Sequence, residues 1–255
     1  MLWYKSWLET RWRFVIGLVL LMFSACGTVL AYPRVVELLS AAPGVEVSGE
    51  IGRQIREGVE LARDYRGYVW SQWFRQNLMQ MWTFFAVLLA SGSVLSQTSG
   101  GGTVFTLSLP ASRNRLIGVR AATGLAELLV LAFVPSLLIP LLSPVVGQSY
   151  SVSDALVHGA CLFIAGAAFF SLAFLLSTVF SDLWRPLLMA CSAAIVLSLC
   201  GQVFPGVSRY GIFRVMNGEV YFRGGGLPWL GLLASVALSM AMLYGATRNI
   251  ARQDF

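Results

Sequence analysis

Charge is scarce in this chain. Asp, Glu, Lys and Arg together make up 12% of its 255 residues, about half of what a soluble domain carries. That shortage excludes a solvated globular surface as the main environment. Histidine is scarcer still. Any histidine-based triad or metal site would rest on His158 alone, one turn from Asp154 and with no second ligand beside it. The four cysteines (Cys26, Cys161, Cys191 and Cys200) form no CxxC pair and all lie inside apolar runs. They read as small apolar packing residues, and the disulfide and zinc readings fail. A phosphate loop is missing as well. Ser99-Gly100-Gly101-Gly102-Thr103 is glycine-rich, yet it lacks the Gly-Lys-Ser/Thr ending that supplies the phosphate-binding lysine and the magnesium hydroxyl. The chain is therefore expected to bind no nucleotide, metal or other cofactor itself, and it offers no catalytic constellation.

Apolar residues fill the space, at 57% of the chain, and the few charges are segregated. No Asp, Glu, Lys or Arg occurs within 14–32, 76–112, 128–153, 155–181, 186–208 or 224–247. Each run holds about 20 apolar residues, enough to cross a roughly 30 Å hydrocarbon layer as a helix. Lipid leaves a backbone few other ways to satisfy its hydrogen bonds. The expected fold is an all-α membrane protein of six transmembrane helices, forming one transmembrane domain over residues 1–255. The net charge of +6 fits basic residues flanking spans and meeting anionic headgroups of membrane lipid. No basic run sits on a soluble fold, so nucleic acid is not an expected partner.

Along the chain, residues 2–13 interleave Trp3, Trp7, Leu8 and Trp12 with Lys5, Glu9, Arg11 and Arg13. That is the pattern of an interfacial helix lying flat on the membrane. Span one follows at 14–32, with Pro33 expected to stop it. Ser24-Ala25-Cys26-Gly27 resembles a lipoprotein cleavage site, but five further spans point to an uncleaved first helix. Residues 33–75 form a polar insert. Ile51, Ile55, Val59, Ala62 and Tyr65 in it share one helical face, with Trp70, Trp73 and Phe74 as an aromatic belt where the chain returns to the bilayer. Span two covers 78–95 and a basic loop occupies 96–120. Span three covers 121–142, containing Pro135 and Pro140. Spans four, five and six follow at 154–179, from Pro186 to near Phe204, and at 227–246. Residues 206–226 form a second aromatic-rich stretch where the chain turns back into the membrane.

With the N-terminus inside, nine Lys/Arg fall on each side of the membrane. Six of the nine outer ones belong to the long insert, and short connections set topology. Among the short ones the bias is nine inside to three outside. Both termini and the 96–120 loop are thus expected in the cytoplasm, with residues 33–75 outside.

Two features carry alternatives. Glu127 is the one acid inside an expected span. It either lines a polar cavity or pairs with Arg120 or Arg185, or else it reaches headgroups from a shallow depth. Small residues recur every fourth position at Ala190, Ala194 and Ser198, and at Gly231, Ser235 and Ser239. Such seams serve either a dimer interface or moving gate, or packing within one bundle.

The segment Gly-Thr-Val-Phe-Thr-Leu-Ser-Leu-Pro-Ala-Ser-Arg-Asn-Arg-Leu-Ile-Gly-Val-Arg, at 102–120, is a triply basic island between two long apolar runs. It resembles the signature loop of ABC-2 type transporter permeases. Gly102-Thr103, Leu107-Ser108-Leu109-Pro110, Ser112-Arg113, Arg115-Leu116 and Arg120 stand at the matching places. The tail Asn249-Ile250-Ala251-Arg252-Gln253-Asp254-Phe255 is similar to the family's usual ending. The basic N-terminal helix and the six-span plan fit across the whole chain. Members of the family often carry an acid just before the Gly-Thr pair, where this chain has Gln97-Thr98-Ser99-Gly100-Gly101.

The resemblance implies an exporter's permease half in a bacterial inner membrane, paired with a second copy or a paralogous permease. It also implies two separate ATPase subunits carrying ATP and magnesium. The 96–120 loop would be a coupling helix seated in the ATPase. Phe105, Leu107 and Leu109 would be its apolar anchors and Arg113 and Arg115 its rim charges, with Gly102, Thr103, Pro110 and Ser112 shaping the turn. Loop 181–185 would make a secondary contact. Re-entrant helices between spans five and six would cap the pathway's outer side. The substrate class left open is lipid, lipid-linked molecule or amphipathic drug. The rival readings are a membrane scaffold or immunity subunit that recruits an ATPase without transport, and an intramembrane enzyme, which the lack of convergent polar residues disfavours.

Overall fold

The computed structural model of the protein describes residues 2–41, 58–91, 113–180, 182–203 and 211–252. Every regular element among them is helical. In chain order they are α1 (Leu2–Ala41), α2 (Tyr65–Tyr68), a π-helical segment (Val69–Leu78), α3 (Met79–Ala90), α4 (Arg113–Leu142), a 3₁₀ turn (Ser143–Val146), α5 (Val152–Val179), α6 (Trp184–Val203), α7 (Ile212–Met216), α8 (Glu219–Phe222) and α9 (Trp229–Ala251). Among the described residues, five helices are long and apolar enough to cross a membrane: α1, α4, α5, α6 and α9. The chain is thus a helical, multi-pass membrane protein by architecture.

The helices pack around α5. Its most apolar stretch is 61% buried inside the protein, against 17–33% in the other four long helices. Glycines let neighbours approach it closely. Gly159 lies against Phe133, and Gly124 against Phe170, so α4 and α5 run antiparallel. Gly166 meets the Trp82 ring of α3, and Gly17 of α1 meets Phe85. The Trp82 indole, fully buried, donates to the Leu128 carbonyl at 3.1 Å and ties α3 to α4. Large apolar side chains on α1, α6 and α9 point outward in numbers no soluble surface would carry, among them Phe23, Ile195 and Leu230.

Contacts sort the helix ends into two sets. At one end, here the near end, Thr10 of α1 meets Glu127 of α4, and Arg13 donates to the Leu88 carbonyl of α3. There Asn249 of α9 also donates to the carbonyl (3.1 Å) and hydroxyl (3.0 Å) of Thr178 in α5. At the far end, Tyr68 donates to the Thr28 carbonyl, Tyr65 bonds Ser143, and Arg66 pairs with Asp154.

Two expectations change, and one open alternative is decided. Pro33 does not stop the first helix, which continues to Ala41, and residues 2–13 are one rod with 14–32 rather than a separate element. Proline removes one backbone hydrogen bond, but neighbours brace this turn. Tyr32 packs edge-on against Tyr65 at 4.8 Å, and Tyr68 bonds Thr28 just below. Trp70, Trp73 and Phe74 are not an interfacial belt: all three are buried at 2% exposure or less, inside the protein. The π-helical turn allows this. Its wider spacing stacks Val69, Trp73 and Leu78 beside Trp70 and Phe74 on the inward side, which a 3.6-residue turn would splay apart. Finally, the small-residue seams pack within the bundle. Ala190, Ala194, Ser235 and Ser239 are all buried in a single chain, and Gly231 sits against Val215.

Candidate functional site

Two polar centres interrupt the apolar bundle, one at each end. The near-end centre is built where α1 lies parallel to α4. Thr10, one of the few hydroxyls on α1, donates to Glu127 Oε1 at 2.5 Å across 117 positions of sequence. Two turns nearer the start of α4, Arg120 reaches Glu9 Oε2 at 3.5 Å. Arg13 caps the last turn of α3 through the Leu88 carbonyl at 3.2 Å. Glu127 is 5% exposed, and no described residue reaches its Oε2. Both long-range pairs link the N-terminal helix to the first half of α4, at Arg120 about two turns and at Glu127 about four turns from its start.

Of the sequence-derived site residues, Gly102, Thr103, Phe105, Leu107, Leu109, Pro110 and Ser112 lie outside the described residues. Arg113 opens α4, and Arg115 is exposed in its first turn. Glu127 is also described in full. It pairs with neither Arg120 nor Arg185: Arg120 turns to Glu9, and Arg185 pairs with Asp182 at 2.9 Å. Thr10 was missed because a hydroxyl at an unremarkable position gives no sequence signal of a partner so far away.

The far-end centre fastens the 211–226 segment onto α5 and the start of the π-helical run. Asp154, in the first turn of α5, accepts from Arg66 Nε at 2.8 Å and from the Tyr221 hydroxyl at 2.9 Å. His158 donates through Nδ1 to the Asp154 carbonyl at 2.7 Å, which fixes its tautomer and leaves Nε2 as a bare acceptor. That ring is wedged between Phe74 (4.6 Å) and Tyr221 (5.6 Å). Gly218 sits over it at φ +63°, a left-handed position where a side chain would also crowd the imidazole. Trp70 stacks on Phe222 at 4.3 Å and donates to the Asn217 carbonyl at 3.0 Å.

Arg214 holds Glu219 through two hydrogen bonds, 2.8 and 2.6 Å, and Arg223 adds a third contact at 3.1 Å. Burial works to raise the Glu219 carboxyl, but the guanidinium groups of Arg214, Arg223 and Arg75 overcome it and hold it below the usual range. The hydrogen bond to Glu219 in turn raises Arg214. Tyr150, on the connection before α5, is pushed up by burial and by the nearby Asp154 charge. Beside this centre lies a cavity of about 580 Å³ between the π-helical run, α6 and α7, lined by Arg75, Gln76, Gln80, Ser198, Arg214 and Glu219 among others.

The described residues hold no group of three His, Cys, Asp or Glu able to bind a metal. His158 is a packed core histidine with one backbone partner. The chemistry available is recognition of charge and hydrogen-bonding groups at either end of an apolar bundle. No family model, no curated protein and no solved structure matches this chain.

Proposed function

We propose that the chain is the permease subunit of an ATP-driven transporter of the ABC-2 type, exporting an amphipathic substrate across a bacterial inner membrane. One observation carries the reading. The family-like segment 102–120 joins the ends of α3 and α4, and both ends lie at the near end of the bundle, beside the start of α1 and the end of α9. A docking element must stand on the motor's side of the membrane, and a chain of six crossings brings both termini to that side.

The count of six takes the run 65–90 as a crossing. It contacts α1 at the far end through Tyr68 and at the near end through Leu88, which supports that reading. The 102–115 region then seats in a separate ATPase carrying ATP and magnesium, with a second permease copy or a paralogue completing the pathway. An ion pair and a hydrogen bond past the loop give the mechanical link a physical form. Glu9–Arg120 and Thr10–Glu127 bind α1 to α4, so a push on the loop moves two helices as one body. The far-end segment 211–226 closes the outer side.

A scaffold that recruits an ATPase without moving a substrate would share the docking loop. Purification from the native membrane, followed by ATP hydrolysis assays in liposomes, separates the readings. Transport predicts hydrolysis that rises with an amphipathic substrate. ATPase association with no substrate response across lipids and cationic or neutral drugs would favour the scaffold. No associated ATPase would reject both.

A further inference from the structure

The far-end cavity of about 580 Å³ differs from the rest of the outward surface. Helices α1, α6 and α9 turn large apolar side chains outward. The run 69–90 instead lines this opening with Arg75, Gln76 and Gln80, all three exposed. With Met79 they fall at i, i+1, i+4 and i+5, on one side of the run. No hydrogen bond ties the three polar side chains to other described residues. The Arg75 guanidinium lies 5.6 Å from the Trp70 ring centre. Guanidinium and amide groups on a crossing helix are costly against hydrocarbon, so this side suits a polar occupant.

The rest of the lining restricts that occupant. Arg214 and Asn217 line the same cavity from α7 and its end, and Glu219 from the start of α8. Asn217 is 4% exposed. Its Oδ1 accepts from the Glu219 N–H at 2.9 Å and its carbonyl from Trp70, which leaves the Nδ2 amide as a donor without a described partner. Arg214 uses Nε and Nη2 on Glu219 and keeps Nη1. Glu219, held by Arg214 and Arg223, has little left for a cation. The free groups are therefore mostly donors, and among the described residues two guanidinium groups stand against one carboxylate. An anion with several acceptor oxygens fits, and the arginine fork matches phosphate. Gln80 lies about 7.5 Å further from the far end than Arg75, at 1.5 Å per residue. Ser198 and Gly201 line the cavity across from it on α6. A glycerophospholipid has the same order: phosphate at the surface, ester carbonyls deeper, acyl chains beyond.

We propose that this cavity binds a phospholipid of net negative headgroup from the leaflet at the far end. Its phosphate meets Arg75, Arg214 and Asn217, and its ester carbonyls accept from Gln76 and Gln80. The ammonium of an ethanolamine or choline headgroup finds no spare carboxylate, so zwitterionic lipids lose the net attraction. The site rests on the six-crossing part of the reading above but needs no ATPase, so its failure leaves the docking loop untouched.

Native mass spectrometry tests this on the full chain in neutral detergent with equimolar phosphatidylglycerol, phosphatidylethanolamine and phosphatidylcholine. The wild type is expected to hold phosphatidylglycerol over phosphatidylcholine by about tenfold, the scale of one hydrogen bond to a charged group. Arg75→Gln, at an exposed position, is expected to erase the preference, whereas Arg185→Gln at the near end should keep it. Gly201→Leu places a side chain where a Cβ meets nothing within 4 Å. It fills the cavity with every charge intact and is expected to exclude the lipid, which keeps the test decisive should Arg75→Gln fail to fold by circular dichroism. Equal occupancy by the three lipids would mean ordinary annular lipid and overturn the site. So would a preference that survives in Arg75→Gln, or one lost equally in Arg185→Gln, which would mean diffuse charge attraction. Soluble glycerol phosphate in excess is expected not to displace the lipid; displacement would overturn the lipid assignment in favour of a free phosphate site.

Discussion

Replacing Gly166 with alanine tests the packing at the centre of the bundle. A Cβ built on Gly166 falls inside van der Waals contact with the Trp82 ring, 2.8 Å from Cη2 and 3.0 Å from Cε3 with a still closer approach to Cζ3. Trp82 cannot step aside freely, because it is fully buried and its indole nitrogen is held by the Leu128 carbonyl. Helix propensity alone would favour alanine by about 1 kcal/mol. Against that stand overpacking, typically about 1–3 kcal/mol, and about 1 kcal/mol if the indole hydrogen bond is lost. The expected net loss is about 1–3 kcal/mol. Gly27→Ala is the control: it has nothing within 4 Å, so only the propensity term acts and the change is expected to be neutral or stabilising. Reversible unfolding in mixed micelles with increasing dodecyl sulfate, followed by circular dichroism, measures both. Trp82→Phe should partly rescue Gly166→Ala, giving a double-mutant coupling of at least about 0.5 kcal/mol. If Gly166→Ala behaves like Gly27→Ala, or if the double mutant is strictly additive, the close approach of α3 and α5 is not as described.

Two further outcomes follow from the far end and from the topology. Glu219 titrates below its ordinary value of 4.5 when folded, so its stabilisation is complete above that value and is lost as pH falls through the lowered one. Glu219→Gln should lower the melting temperature at pH 7 and narrow the gap between pH 7 and about pH 3.5 relative to wild type. The effect is expected at roughly 1 kcal/mol or less, since Arg214 is more than a third exposed; an unchanged pH dependence would refute the clamp. In a background with the native cysteines replaced by serine, Arg115→Cys and Arg223→Cys should label from opposite faces of a sealed vesicle, and labelling from one face would overturn the six-crossing topology.

The membrane-spanning character was plain in the sequence, because apolar runs bounded by charge depend only on local composition. Runs over α4, α5, α6 and α9 needed no tertiary information. What escaped notice depends on neighbours. Pro33 reads as a stop signal, yet the tyrosines packed around it keep the helix going. Trp70, Trp73 and Phe74 have the composition of an interfacial belt, and only the π-helical turn shows that they face inward. The clamp on 211–226 joins Arg66, Asp154 and Tyr221 from three distant stretches. Glu127 stood out as an acid in an apolar run, but its partner Thr10 could be known only once α1 lay against α4. The docking role proposed for 102–112 rests on its sequence pattern, and Phe105, Leu107 and Leu109 lie outside the described residues.

The central claim is that this chain hands mechanical work from an ATPase to a membrane bundle through the 96–120 segment, which runs into the start of α4. The direct measurement is the amount of ATP-binding subunit that co-purifies per permease chain, compared between wild type and the double variant Arg113→Glu with Arg115→Glu. Both charges stand at the start of α4, and Arg115 is exposed, so reversal should leave membrane insertion and helicity intact. The account predicts a stoichiometric ATPase in the wild type and a loss of at least tenfold in the double variant. An ATPase retained at wild-type ratio, or none in the wild type, would contradict it.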